Sequence, residues 1–85
     1  MQTADMTQSL STVLEAALLA AAADGRDVRP VSLTLDYGAR GPGDMTVEAR
    51  VDRATRSLVF ASGEARLADG RTAATACGVF RVAGS

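Results

Sequence analysis

Residues 28–51 read VRPVSLTLDYGARGPGDMTVEARV, and their alternation decides the fold. Val31, Leu33, Leu35 and Tyr37 share one parity, while Ser32, Thr34 and Asp36 take the other. Met45, Val47, Ala49 and Val51 then alternate with Thr46, Glu48, Arg50 and Asp52. A period of two marks a half-buried strand, because successive side chains point to opposite faces of a sheet. Between the two runs, Gly38-Ala39-Arg40-Gly41-Pro42-Gly43 has the composition of a loop. Further along, Ser57 to Leu67 is longer and more apolar, and Thr72 to Val82 sets Ala74, Ala76, Gly78, Phe80 and Val82 on one side. Arg53 to Arg56 reads as a short reversal, and Ala68-Asp69-Gly70 carries the Asp-Gly signal of a tight hairpin. The spacing predicts four antiparallel strands following one another as a meander.

Upstream, the period changes. Met6, Leu10, Val13, Leu14, Ala17, Leu18 and Ala21 recur at intervals of three and four, which predicts a helix over residues 7–23. Thr7 and Ser9 suit its N-cap, and Gly25 suits the left-handed position beyond its last turn. Glu15 is the sole charged residue between Met6 and Ala23. A solvated helix face ordinarily carries several charges, so this helix is expected to be covered on most sides, by the sheet and by a second copy of the chain. The predicted fold class is α+β: one long helix packed on a four-stranded antiparallel sheet, a single domain over residues 6–83 after a disordered stretch of five. Its open sheet edges and over-apolar helix both predict a homo-oligomer, a dimer or tetramer.

Composition narrows the chemistry. At 85 residues the chain has material for one core only. It has no histidine, which removes Ser-His-Asp and Cys-His nucleophile schemes and imidazole metal ligands. A single cysteine, Cys77, excludes an internal disulfide and is expected to behave as a small buried hydrophobe. All nine basic residues are arginines, set against ten acids for a net charge of −1. No basic stripe is present, and only Tyr37, Phe60 and Phe80 could stack on bases, so nucleic-acid binding is not expected. The longest apolar run, near Ala16 to Ala23, is far short of the roughly 20 residues a membrane helix needs. The N-terminal MQTADMTQS carries acid rather than base, unlike a signal peptide, so a cytoplasmic domain is expected.

A long apolar helix followed by antiparallel strands resembles the hotdog fold. Residues 28–51 are similar to a segment of acyl-CoA thioesterases of the phenylacetate-pathway and 4-hydroxybenzoyl-CoA types: a strand ending in Asp36-Tyr37, a loop with Arg40, and Gly43-Asp44 opening the next strand. Residues 56–82, RSLVFASGEARLADGRTAATACGVFRV, resemble the last two strands of that family, including its Asp-Gly hairpin and closing Phe-Arg-Val. The resemblance implies a homo-oligomer that hydrolyses an acyl-CoA thioester, with coenzyme A as part of the substrate and no separate cofactor. It further implies a nucleophile or general base on the helix. The word Val13-Leu14-Glu15-Ala16-Ala17 puts Glu15 in that place. The family's upstream His-Gly-Gly word is replaced here by Met6-Thr7-Gln8, and its first strand is missing, so the chain reads as shortened at its N-terminus.

Each residue so marked has a plainer role beside the chemical one. Glu15 activates water or attacks a thioester carbonyl, or else pairs with an arginine of a partner chain. Gln8 and Ser11 lie two turns and one turn before it and are placed to polarise a carbonyl, or serve as first-turn residues. Arg40, Arg53, Arg56 and Arg71 lie in loops or at strand ends, and guanidinium forks suit the phosphates of coenzyme A. In a lysine-free chain they also solubilise the surface. The resemblance singles out Arg56 with Ser57, before the long strand, for the nucleotide. Two readings follow: hydrolysis of a small or medium acyl-CoA through Glu15, or a shortened, non-catalytic hotdog module that binds acyl groups or only oligomerises.

Overall fold

The computed structural model describes residues 6–41 and 43–83, with residues 6–9 described by their backbone alone. The expected disordered stretch, residues 1–5, lies outside the described residues. Helix α1 (Met6–Ala23) precedes strands β1 (Val28–Tyr37), β2 (Met45–Ala54), β3 (Leu58–Leu67) and β4 (Thr72–Val82). The helix and the last three strands coincide with the periodic runs of the sequence to within a residue or two, and β1 begins three residues before its alternating run. Asp24 and Gly25 close the helix with φ of 46° and 85°, the left-handed geometry that ends a last turn.

The strands do not form a meander. Their order is β1-β4-β3-β2, all antiparallel, so β2, β3 and β4 are successive hairpins but β1 pairs with β4. Alternation specifies which face a strand buries and says nothing of which strand lies beside it. The loop after Tyr37 does not join neighbouring strands; it carries the chain across the end of the sheet from one edge strand to the other. Gly38 N donates to Ala73 O at 2.8 Å and Ala39 N to Thr72 O at 2.9 Å, prolonging the β1–β4 pairing beyond the strand. The chain then passes the β3–β4 hairpin, where the Arg71 guanidinium donates to Arg40 O at 3.5 Å.

One face of the sheet receives the helix. Leu14, Leu18 and Ala22, four residues apart on one helix stripe, are buried against Val59, Ala61, Ala65, Leu67, Ala74, Ala76, Phe80 and Val82. The two central strands present mainly alanine and glycine beneath the helix, so the helix sits close. A Cβ on Gly63 would lie 2.8 Å from Leu18 Cδ1 and 2.6 Å from Glu48 O. Leu33 and Leu35 of β1 and Val47 and Ala49 of β2 are packed against the core from the two sides. Val31, Tyr37, Met45 and Val51, expected on the buried face, are exposed at 42 to 59%. Tyr37 and Met45 lie at the ends of the two edge strands, Val31 is the residue passed over in the register shift between Pro30 and Ser32, and Val51 adjoins the shift between Val51 and Arg53. Val13, also assigned to the apolar stripe, is 45% exposed, because it lies about 100° around the helix from Leu14. Cys77 is exposed, not buried: Ala76 and Gly78 point inward, so parity turns Cys77 to the opposite face.

The β3–β4 hairpin closes with Gly70 N donating to Leu67 O and Leu67 N to Arg71 O. Gly70, at φ +94°, is the left-handed residue of this turn, and a side chain there would be strained. Asp69 caps the turn by accepting from Arg71 N at 2.9 Å and from Arg71 Nε at 2.7 Å.

Two outcomes follow from this packing. Leu18→Ala is expected to destabilise the domain by about 2–5 kcal/mol, and Gly63→Ala by about 1–3 kcal/mol, since the backbone oxygen of Glu48 cannot retreat. Urea unfolding followed by circular dichroism measures both. The Arg71 amide and guanidinium hold the Asp69 carboxyl below its ordinary 3.8, and Arg66 holds Glu64 below its ordinary 4.5. A carboxyl lowered in the folded state adds stability that is complete above its unfolded value and is lost as pH falls through the folded one. The unfolding midpoint is therefore expected to decline below about pH 4.5, with a shallower decline in Asp69→Asn.

Candidate functional site

The loop that crosses the sheet end leaves a cleft of about 340 Å³ beside the N-terminal half of α1. Its wall is built by Leu10 from the helix, Tyr37 to Gly41 and Gly43 from the loop, Met45 from β2, and Leu67 and Ala73 from β3 and β4. Each contributor is there for a traceable reason. Leu10 continues the stripe of Leu14 and Leu18 one turn toward the N-terminus, beyond the end of the alanine floor. Leu67 is the last inward residue of β3, and Met45 its direct cross-strand partner on β2. Tyr37 closes β1 and is 59% exposed. The lining is mostly apolar, and among the described residues Arg40 is its one ionisable group apart from the Tyr37 phenol. Among the described residues no acid forms an ion pair with Arg40. An apolar lining with an uncommitted guanidinium suits a ligand with an apolar portion and an anionic one.

The remaining sequence-marked residues stand elsewhere in the chain. Glu15 is exposed, one position after the buried Leu14, and is not part of the cleft wall. It lies about 7 Å along the helix axis from Leu10. Among the described residues no arginine forms an ion pair with it. Ser11, four residues earlier and on the same side of the helix, is half-buried and already interacts within the chain. Gln8 belongs to the first turns of α1, and its side chain lies outside the described residues. Arg56 and Ser57 form the exposed β2–β3 turn, closed by Thr55 Oγ1 accepting from Leu58 N at 3.0 Å, with Ser57 O accepting from Val82 N at 2.8 Å. That turn lies at the other end of β3 from Leu67, about 30 Å from the cleft, so Arg40 and Arg56 do not converge within one chain. Arg71 is committed to Asp69, while Arg53 on β2 has no ion pair among the described residues.

Within one chain, then, the candidate residues fall in separate places: Arg40 lines the apolar cleft, while Ser11 and Glu15 lie on a side of the helix outside its wall. Sequence reading takes Gly38 to Gly43 as a loop and does not reveal the cleft's other walls. Tyr37 and Met45 were visible as apolar residues bracketing a glycine-rich loop. Leu67 and Ala73 had no local signal, since their place beside that loop depends on β1 pairing with β4. Among the described residues no group of three or more Cys, Asp or Glu could hold a metal ion, and no helix is long and apolar enough to cross a membrane.

No protein-family model and no curated protein matches the sequence. Solved structures do match the fold. A Bacillus halodurans protein solved with CoA superposes with a TM-score of 0.75 at 22% identity, over 84% of this chain and 54% of its own. A hypothetical thioesterase from Streptococcus pneumoniae, solved with coenzyme A, gives 0.77 at 19% identity, over 89% and 62%. A protein of the thioesterase superfamily gives 0.74 at 23% identity, over 87% and 58%. The chain thus spans 54 to 62% of the length of these three proteins. At such identities the likeness is one of architecture: the chain has the hotdog fold of thioesterase-superfamily proteins, one helix laid on an antiparallel sheet.

Proposed function

We propose that this chain acts on acyl-CoA thioesters, hydrolysing a small or medium acyl group with the Glu15 carboxylate. The observation that carries this reading is the fold shared with structures that hold CoA, together with an apolar cleft that has an uncommitted arginine at the helix end. In the proposed reaction Glu15 takes a proton from water, whose oxygen attacks the thioester carbonyl carbon. The carbon–sulfur bond breaks, and the CoA thiolate leaves and takes up the proton, giving a free carboxylic acid and CoA. Ser11 and Gln8, on the helix turns before Glu15, donate toward the carbonyl oxygen. The cleft accepts the apolar part of the substrate, and Arg40 faces its anionic part.

Assembly belongs to this proposal. A single chain leaves Glu15 exposed and Arg40 about 30 Å from Arg56 and Ser57, so one protomer does not surround a CoA ester. A second copy brought against the uncharged helix face of Thr12, Val13, Ala16 and Ala20, or along a sheet edge, would cover Glu15 and lend its own Arg56 and Ser57 to the phosphates of the first. A homodimer or tetramer in the cytoplasm is the proposed working form.

The test follows free thiol release from a panel of aryl- and aliphatic-acyl-CoAs, in a Cys77→Ser background that removes the protein's own thiol. Glu15→Gln is expected to lower kcat by at least about 100-fold, the range over which a positioned general base contributes. Arg40→Ala is expected to raise KM with little change in kcat. Equal rates with and without the Glu15 carboxyl would remove it from the mechanism, and no turnover of any ester would overturn hydrolysis. Light scattering on the eluting protein is expected to give at least twice the mass of one chain; a monomer would overturn the shared site.

A further inference from the structure

The cleft at the loop end of the sheet offers an anion one positive charge and little else. Arg40 lines it, is exposed, and forms no ion pair among the described residues. The neighbouring arginine is already engaged: Arg71 gives Nε to Asp69 Oδ2 at 2.7 Å and Nη2 to Arg40 O. Two amides of the wall are engaged as well, Gly38 N with Ala73 O and Ala39 N with Thr72 O. Nearby acids do not neutralise the guanidinium. Asp36, next to the inward Leu35, stands on the opposite face of the sheet, across from Thr75. Asp69 is held by Arg71, and Asp44 forms no ion pair among the described residues. Around this single charge stand the carbon-rich walls of Leu10, Met45, Leu67 and Ala73. At about 340 Å³ the cleft is at the small end of ligand pockets.

We infer that the cleft selects acyl groups ending in a second carboxylate, with the carbon chain against Leu10, Met45 and Leu67 and the terminal carboxylate on the Arg40 guanidinium. This rests on the thioester reading above and names its substrate class. A guanidinium presents parallel N–H groups that match the two oxygens of one carboxylate. The phosphates of coenzyme A are the other anions such a substrate carries, and they suit the cleft poorly. Phosphate groups are held by several converging donors, often successive backbone amides. Here two of the loop amides are bonded to β4 and Arg71 is bonded to Asp69, which leaves a single fork. Apolar walls also oppose the desolvation of a multiply charged group, whereas the methylenes of a dicarboxylic acyl chain are favourably buried there. The same walls accept an acyl chain that ends in a methyl group. Arg40 is therefore a specificity residue, setting the preference for a charged end over an apolar one.

Thioesters of N-acetylcysteamine test this, because they keep the thioester and lack every phosphate of coenzyme A. Titration calorimetry on the full chain carrying Glu15→Gln compares succinyl, glutaryl and adipyl esters with butanoyl, pentanoyl and hexanoyl esters of equal length. At the best-fitting length the dicarboxylic ester is expected to bind about three- to tenfold more tightly, with the margin shrinking at high salt. Adding Arg40→Gln is expected to bring the two esters within about twofold of each other, and Arg40→Lys to keep part of the margin. Arg40→Glu is expected to reverse it, favouring an ester that ends in an ammonium group. The Arg40 side chain is exposed, so unchanged far-UV circular dichroism is expected in all three, and a reversed preference cannot come from misfolded chains. With Glu15 substituted, affinity is read apart from turnover, so a failure of hydrolysis and a failure of the preference show in different measurements. Equal affinity for the paired esters, no binding of any dicarboxylic ester, or a margin that survives Arg40→Gln would each overturn the inference. An Arg40→Gln effect confined to full CoA esters would also overturn it, giving Arg40 to the phosphates.

Discussion

The close seating of Leu18 on Gly63 is the contact on which the rest of the structure depends. Gly63 leaves space that a methyl group would close, and the alanines around it keep the middle of the sheet low. With a floor this shallow, two leucines and an alanine of the helix fill the interior, and a chain of 85 residues obtains a dry core. Larger residues on β3 and β4 would lift the helix and open the sides where Leu33, Leu35, Val47 and Ala49 now pack. The core is therefore specified as much by what its central strands lack as by what the helix supplies.

The cleft is a by-product of the same seating. Where the alanine floor ends, Leu10 faces Leu67 instead of a methyl group, and the loop from Tyr37 bridges the space between helix, hairpin and β2. The loop holds its course because its first two amides are given to β4 and because Arg71, itself braced by Asp69, donates to Arg40 O. Arg40 is thus held at the cleft by its backbone, while its guanidinium has no acid among the described residues to claim it.

Helix and sheet also divide the molecule's surfaces into distinct kinds. The helix turns outward Thr12, Val13, Ala16 and Ala20, with one carboxylate, Glu15, at the margin. The outer sheet face is charged, with Arg29 opposite Arg81 at one end and Glu48 opposite Glu64 at the other, where Arg50 and Arg66 pair with Glu64. A module this small has few interior positions to spare, so chemistry and assembly both fall to its surfaces, and the proposed site needs a second chain for the same reason that the core is sparse.

Much of this was legible in the residues. The period of two over 31–37 and 45–51, the helical spacing from Leu10 to Ala21, the Asp-Gly turn and the inward set from Ala74 to Val82 all follow from where a backbone directs its side chains, a local property. Glu15 stood out because it is alone. What the residues did not contain was adjacency. Nothing near Val28–Tyr37 says that its neighbour is the last strand and not the next one, since that pairing is settled by which strand the crossing loop can reach once the three hairpin strands are in place. From it came the cleft, with Leu67 and Ala73 in its wall, the separation of Arg40 from Arg56 and Ser57, and the opposed charges of the outer face. Parity told which side of a strand each residue occupies; only the assembled sheet decided what it would meet there.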